Sequence, residues 1–143
     1  TPMSHEPREV VVAQNGLGRY QQTVRPGAHI LVADEPVDMG GADAGPAPYD
    51  YLLAALGACT SMTLRMYAER KELPLKKVTV TLGHEKVEVE GRGRIDRITR
   101  RIALDGELTA EKRERMLEIA NRCPVHRTLS GNLEIASSLA DGA

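Results

Sequence analysis

The chain has no phenylalanine, no tryptophan and only four tyrosines. Its core must therefore be built from Leu, Val, Ile, Ala and Met, and aromatic platforms for stacking nucleic-acid bases are missing. Net charge is −1 over 143 residues, which gives no electrostatic reason to expect nucleic acid or an anionic membrane as a partner. No uncharged stretch approaches the about 20 apolar residues that cross a bilayer. Only two cysteines occur, Cys59 and Cys123, far apart in the chain and too few for a disulfide framework. The first ten residues, TPMSHEPREV, lack the apolar segment of a secretory signal, so a cytoplasmic protein is expected. In that compartment a cysteine pair is inert, catalytic or redox-active rather than structural.

What is present is an ordinary globular composition, 41% hydrophobic and 27% charged, consistent with one domain over residues 1–143. The chain is organised around Pro48 to Lys71, PYDYLLAALGACTSMTLRMYAERK, which carries no charge between Asp50 and Arg65. Leu52, Leu53, Leu56, Met62 and Leu64 fall on several sides of a helical wheel. A helix apolar all round is buried, so this segment reads as a central core helix with Cys59 in its middle.

Residues 1–6 read as a loose end. Strands follow over Arg8–Gln14 and Leu17–Val24, joined at Asn15-Gly16, a dipeptide suited to a tight hairpin turn. Arg19 would project from the second strand. Pro26-Gly27 is a further turn, and His29–Ala33 a third short strand. Residues 36–48, PVDMGGADAGPAP, read as a flexible loop leading into the helix. Beyond Pro74, Leu75–Val89 alternates as a half-buried strand, Gly91-Arg92-Gly93 turns the chain, and Arg94–Leu104 returns beside it. Thr109 is the expected N-cap of a second helix over Ala110 to about Arg122, with Met116, Ala120 and Cys123 on one face. Pro124 is expected to stop it, and Asn132–Ala136 to form a last strand. The order predicts an α+β fold, with antiparallel sheets packed around the central helix and the second helix.

Taken alone, Cys59 is an ordinary small buried side chain. Its neighbours one and two turns away include Leu52, Leu56, Met62, Thr63 and Met66, and such surroundings make a thiol inert unless a cation reaches it. Cys123, in CPVHRTLSGN, admits the same reading. Two thiols on two core helices that met could instead cycle between dithiol and disulfide.

The block PYDYLLAALGACTSMTLRMYA together with the later CPVHRTLSGNLEI resembles the osmotically inducible protein C and organic hydroperoxide resistance (OsmC/Ohr) family. The similarity runs from the first hairpin to the last strand. The ADEP and GPAPYDYLLAALGACT segments resemble a less characterised branch of that family. The resemblance implies a thiol-dependent peroxidase that reduces organic hydroperoxides. Cys59 matches the peroxidatic cysteine and Cys123 the resolving cysteine. Arg19, in the GLGR segment, matches the active-site arginine, with Arg25 as the alternative. The resemblance also implies an intertwined homodimer, no bound cofactor, and an external dithiol of the lipoyl type, or a small thiol, as reductant. Leu52, Leu56, Met62 and Met66 would then line an apolar substrate site.

One position departs from the family pattern. Where the family has a glutamate that pairs with the arginine, this chain has Tyr49, and the acid is displaced to Asp50. On a continuous helix Asp50 would lie about 180° around the axis and about 13 Å along it from Cys59. It would then orient an arginine of the partner subunit, or serve the positive end of the helix. Among the histidines, Cys123-x-x-His126 is half a zinc motif with no second pair, so no metal is expected and His126 is assigned to the surface or an interface. His29 precedes the loop with no assigned role. Arg92, Arg94, Arg97, Arg100 and Arg101 read as a solvated sheet face. The rivals to the enzyme are a redox-sensitive module that binds a small lipophilic ligand without turnover, and a small dimeric protein with two inert cysteines.

Overall fold

A computed structural model describes residues 8–140 of the chain. Three strands come first: β1 (Val10–Gln14), β2 (Gln22–Pro26) and β3 (Leu31–Ala33). Then follow the helix α1 (Pro48–Arg70), the strands β4 (Leu75–Val89) and β5 (Gly93–Gly106), and the helices α2 (Ala110–Ala120) and α3 (Pro124–Ser130). The fold class is α+β with antiparallel sheets, as the sequence order predicts. One sheet has the order β1-β2-β3 and the other pairs β4 with β5. Among the described residues no helix is long and apolar enough to cross a membrane. The expected loose end over residues 1–6 falls outside the described residues.

The chain divides into two compact units. The first holds the described residues up to Ala58 together with Val80–Ala103, and the second Cys59–Thr79 together with the described residues from Leu104. In the first unit β1 pairs with β2 from Val10↔Pro26 to Gln14↔Gln22, and β2 pairs with β3 from Gln22↔Ala33 to Val24↔Leu31. Helix α1 approaches β4 at Gly57, where a methyl group would come within 2.8 Å of Leu82 Cδ1. In the second unit Leu64, Ala68, Met116, Ala120 and Cys123 are fully buried. The expected inward face of α2 is thus present, and Thr109 caps that helix by accepting from the Lys112 N–H at 3.1 Å.

Several expectations are corrected. The β1–β2 connection is not a two-residue turn, because pairing stops at Gln14↔Gln22 and residues 15–21 form a wider loop. Asn15 organises it: its side-chain amide reaches Gln21 Oε1 at 3.0 Å and Thr23 Oγ1 at 3.2 Å, while its Oδ1 accepts from the Leu17 N–H. Arg19 consequently lies on this loop and not on a strand. The third strand begins at Leu31, with His29 exposed in the turn closed by its N–H to Pro26 O at 3.2 Å. Residues 36–48 are not structureless; a single 3-10 turn occupies Val37–Met39. Helix α1 is not buried all round: Leu56, Cys59, Thr60, Leu64 and Ala68 are buried, but Met62 is 53% exposed. Helix α2 stops at Ala120, and Pro124 starts α3 instead of ending α2. Residues 132–136 form no strand. The Leu133 and Ile135 alternation finds no partner strand among the described residues, and Ile135 is 83% exposed.

Candidate active site

The two cysteines belong to the second unit and meet there. Cys59 sits midway along α1 and is 4% exposed. Cys123 is placed by the junction between α2 and α3. Its backbone N–H closes the end of α2 on Ala120 O, and its sulfur then serves as N-cap of α3, accepting from the His126 N–H at 3.3 Å. Pro124 suits the first helical position because it has no N–H to leave unpaired there. Both thiols are free and both are buried, and they lie close enough for Cys123 to act on the acidity of Cys59.

Each sulfur has a second set of neighbours. Thr60 Oγ1 lies 3.8 Å from Cys123 Sγ. The Val125 N–H, from the first turn of α3, is directed at the Cys59 sulfur, and Thr63 stands one helical turn beyond Cys59. Burial pushes the Cys59 thiol above its ordinary value. The Val125 N–H opposes that shift, the adjoining Cys123 adds to it, and the Thr63 hydroxyl opposes it weakly. No cation is among the groups that set this acidity. In Arg19→Ala, where only these groups surround the thiol, Cys59 alkylation by iodoacetamide at neutral pH should therefore be slower than that of a free cysteine, and should accelerate only at pH values above the usual thiol range. Alkylation rates across pH, read by mass spectrometry, check this; a midpoint below that of free cysteine would overturn it.

The remaining expected site residues are distributed as follows. Arg19 is exposed on the loop 15–21, its guanidinium carbon 4.9 Å from the centre of the Tyr20 ring. Arg25 is exposed on β2. Asp50 accepts the Ala47 N–H at 2.9 Å, so its carboxylate closes the first turn of α1, and it pairs with neither Arg19 nor Arg25. Tyr49 stacks flat on His84 with ring centres 4.3 Å apart, and His84 Nε2 in turn meets Asp96 Oδ1 at 2.8 Å. Leu56 is buried, Leu52 and Met66 are half-buried, and Met62 is open. His126 is half-buried on α3. A cavity of about 390 Å³ in the first unit is lined by Tyr20, Glu35, Met39 and Pro48 among others.

The threonine hydroxyls and the first turn of α3 were not singled out by sequence reasoning. One signal for the latter was available: a Cys-Pro step can read as an N-cap followed by a first-turn proline.

Comparison with known proteins shows the family and the fold. The family model of OsmC-like protein matches residues 40–138, so the chain belongs to the OsmC-like family. Among solved structures, it is similar to an OsmC-like protein from Mycoplasma pneumoniae, with a TM-score of 0.73 and 19% identity, covering 90% of each chain. It is also similar to an organic hydroperoxide resistance protein from Elizabethkingia anophelis, with a TM-score of 0.66, 20% identity, and coverage of 92% of this chain and 94% of that one. A third is an organic hydroperoxide resistance protein OsmC from Legionella pneumophila, with a TM-score of 0.65, 18% identity, and coverage of 91% and 95%. These likenesses define the fold. No curated protein matches the chain.

Proposed function

We propose that the protein is a thiol-dependent peroxidase acting on organic hydroperoxides. The observation that carries this reading is the contact between two free, buried thiols on separate helices. Cys59, as thiolate, attacks the terminal oxygen of ROOH; the O–O bond breaks, ROH leaves after taking a proton, and Cys59 becomes a sulfenic acid. The Cys123 thiol condenses with that sulfenic acid, releasing water and forming a disulfide. An external dithiol, of the lipoyl type or a smaller thiol, reduces the disulfide and restores both cysteines. No cofactor takes part. The organic hydroperoxide resistance proteins among the structural relatives support the substrate class.

Arg19 is the arginine we assign to Cys59, because burial alone leaves that thiol too weak an acid and a guanidinium would correct it. Asp50 keeps its helix-capping bond and would orient Arg19 only through the partner subunit. Leu52, Leu56, Met62 and Met66 would receive the organic part of the peroxide. A homodimer is part of the proposal: Val10, Val11 and Val12 of the edge strand β1 are 53–57% exposed and Leu139 is 96% exposed, apolar surface that a second copy would cover.

The test is dithiol-dependent consumption of cumene hydroperoxide by the purified chain, compared with Arg19→Ala. Many turnovers, with at least about a tenfold loss in Arg19→Ala, are expected. A single stoichiometric oxidation with no further turnover would support the redox-sensitive binding module instead, a reading favoured because no cation is among the described groups that act on the Cys59 thiol.

A further inference from the structure

Thr63 is unusual for a threonine in a helix. Such a hydroxyl ordinarily donates to the carbonyl one turn back or faces water. Here Oγ1 is buried and has no hydrogen-bond partner among the described residues. It stands at the fourth residue after Cys59, which brings the two side chains together on the surface of α1. A buried donor without an acceptor is costly, and such groups in native structures usually await a ligand, an ion or a reacting atom. The Val125 N–H is already directed at the Cys59 sulfur. Cys123 has the matching pair: the Thr60 hydroxyl and the His126 N–H.

We propose that the Thr63 hydroxyl is the hydrogen-bond donor for the reacting end of Cys59, facing the thiolate before attack and the sulfenic oxygen after it. This rests on the thiol-peroxidase reading above. A sulfur is a large and weak acceptor. Once attack transfers one oxygen from ROOH to Cys59, with loss of ROH, that oxygen stands out from the sulfur and offers the orphaned hydroxyl a strong acceptor. The same bond holds the oxygen while the Cys123 thiol approaches, and is lost as that oxygen leaves with water. Thr63 thus contributes most where charge and oxygen appear, and least to the resting thiol. The direction in which its hydroxyl acts on the thiol, toward the charged form, agrees with this role.

The experiment compares the full chain with Thr63→Val and Thr63→Ser, each also in a Cys123→Ser background where no disulfide can form. Cys59 is oxidised with one equivalent of cumene hydroperoxide, its sulfenic acid is trapped with dimedone, and its alkylation is followed against pH. Thr63→Val keeps the shape and removes the donor. It is expected to slow oxidation by about tenfold or more and to raise the pH midpoint of alkylation. Its thermal midpoint should be unchanged or higher, since a methyl group replaces an unpaired hydroxyl. Thr63→Ser should restore both chemical readouts. Equal oxidation rates and equal midpoints in Thr63→Val and the parent would overturn the proposal. So would a lowered thermal midpoint in Thr63→Val with no rescue by serine, since that pattern marks a purely structural residue. If the parent chain completes no turnover with a dithiol, the peroxidase reading fails by itself, and the alkylation midpoint still decides the role of Thr63.

Discussion

Cys59→Ser should reduce dithiol-dependent loss of cumene hydroperoxide by at least about a thousandfold, to the rate of the uncatalysed reaction. A serine hydroxyl is too poor a nucleophile to take oxygen from a peroxide, and it cannot pass through a sulfenic acid. Cys123→Ser should behave differently. The Cys123 sulfur accepts the His126 N–H at 3.3 Å as N-cap of α3 and lies 3.8 Å from Thr60 Oγ1. Serine is a strong N-cap, so this variant should fold. Its Cys59 should gain one oxygen atom per chain, seen by mass, and then stop when the reductant can attack only a disulfide. Parent-like peroxide loss in Cys59→Ser would end the assignment, and a persistent Cys59–Cys123 disulfide requirement would be disproved by full turnover in Cys123→Ser.

The contact between the two sulfurs was only half legible in the sequence. Helix α1 was, because an uncharged run from Tyr51 to Leu64 flanked by Asp50 and Arg65 has few other solutions. So were β4, whose alternation fixes Leu75–Val89, and the N-cap at Thr109. The inward placement of Cys123 at the end of α2 was legible too, but its role as N-cap of α3 was not. Proline both ends and begins helices, and residue order alone does not say which; the Pro124 ring ends nothing here, since α2 has already closed at Ala120. Asn15-Gly16 misled for a related reason. Its dipeptide suits a tight turn, but the Asn15 side chain bonds Gln21 and Thr23 across the loop and holds the strands apart by residues 15–21. In both places a side-chain hydrogen bond to residues several positions away overrode a local preference.

The exposed side of α1 has a different origin. Its run of small and apolar residues satisfies the pattern of a fully buried helix, yet Met62 and Ala58 remain open in the single chain. In the proposed homodimer a second copy would cover this side, and the sequence would record burial by that copy as well as burial by itself. The same proposal would cover Leu133 and Ile135, whose alternation is that of a strand without a neighbour among the described residues.

Gly45→Ala should destabilise the protein by about 3 kcal/mol, lowering its thermal midpoint by about 10 °C. The loop it belongs to reads as flexible because it is rich in Gly, Ala and Pro, but it is built around one carboxylate. Asp34 is buried; its Oδ1 accepts from the Glu35 N–H at 2.8 Å, and its Oδ2 from the Ala42 and Ala44 N–H groups at 3.1 Å each. The Asp34 N–H donates to Pro46 O at 3.1 Å, so the loop closes on itself just before α1 begins at Pro48. That closure brings Gly45 against β3, where a methyl group would overlap the Val32 carbonyl oxygen. Backbone cannot swing aside as a side chain does, and Val32 O is also held by the Tyr51 hydroxyl at 2.6 Å. The carboxylate gives an independent check by acid. The Ala44 N–H, with those of Glu35 and Ala42, holds the Asp34 carboxyl below its usual range, and burial opposes them only in part. A group depressed in the folded state stabilises above its unfolded value, about pH 3.9, and loses that contribution as pH falls toward the folded value. Thermal midpoints of the parent should therefore drop below about pH 4 more steeply than those of Asp34→Asn, which starts lower because an amide cannot accept all three N–H groups. A Gly45→Ala variant as stable as the parent, or parallel acid curves for the parent and Asp34→Asn, would show that the loop does not depend on this carboxylate.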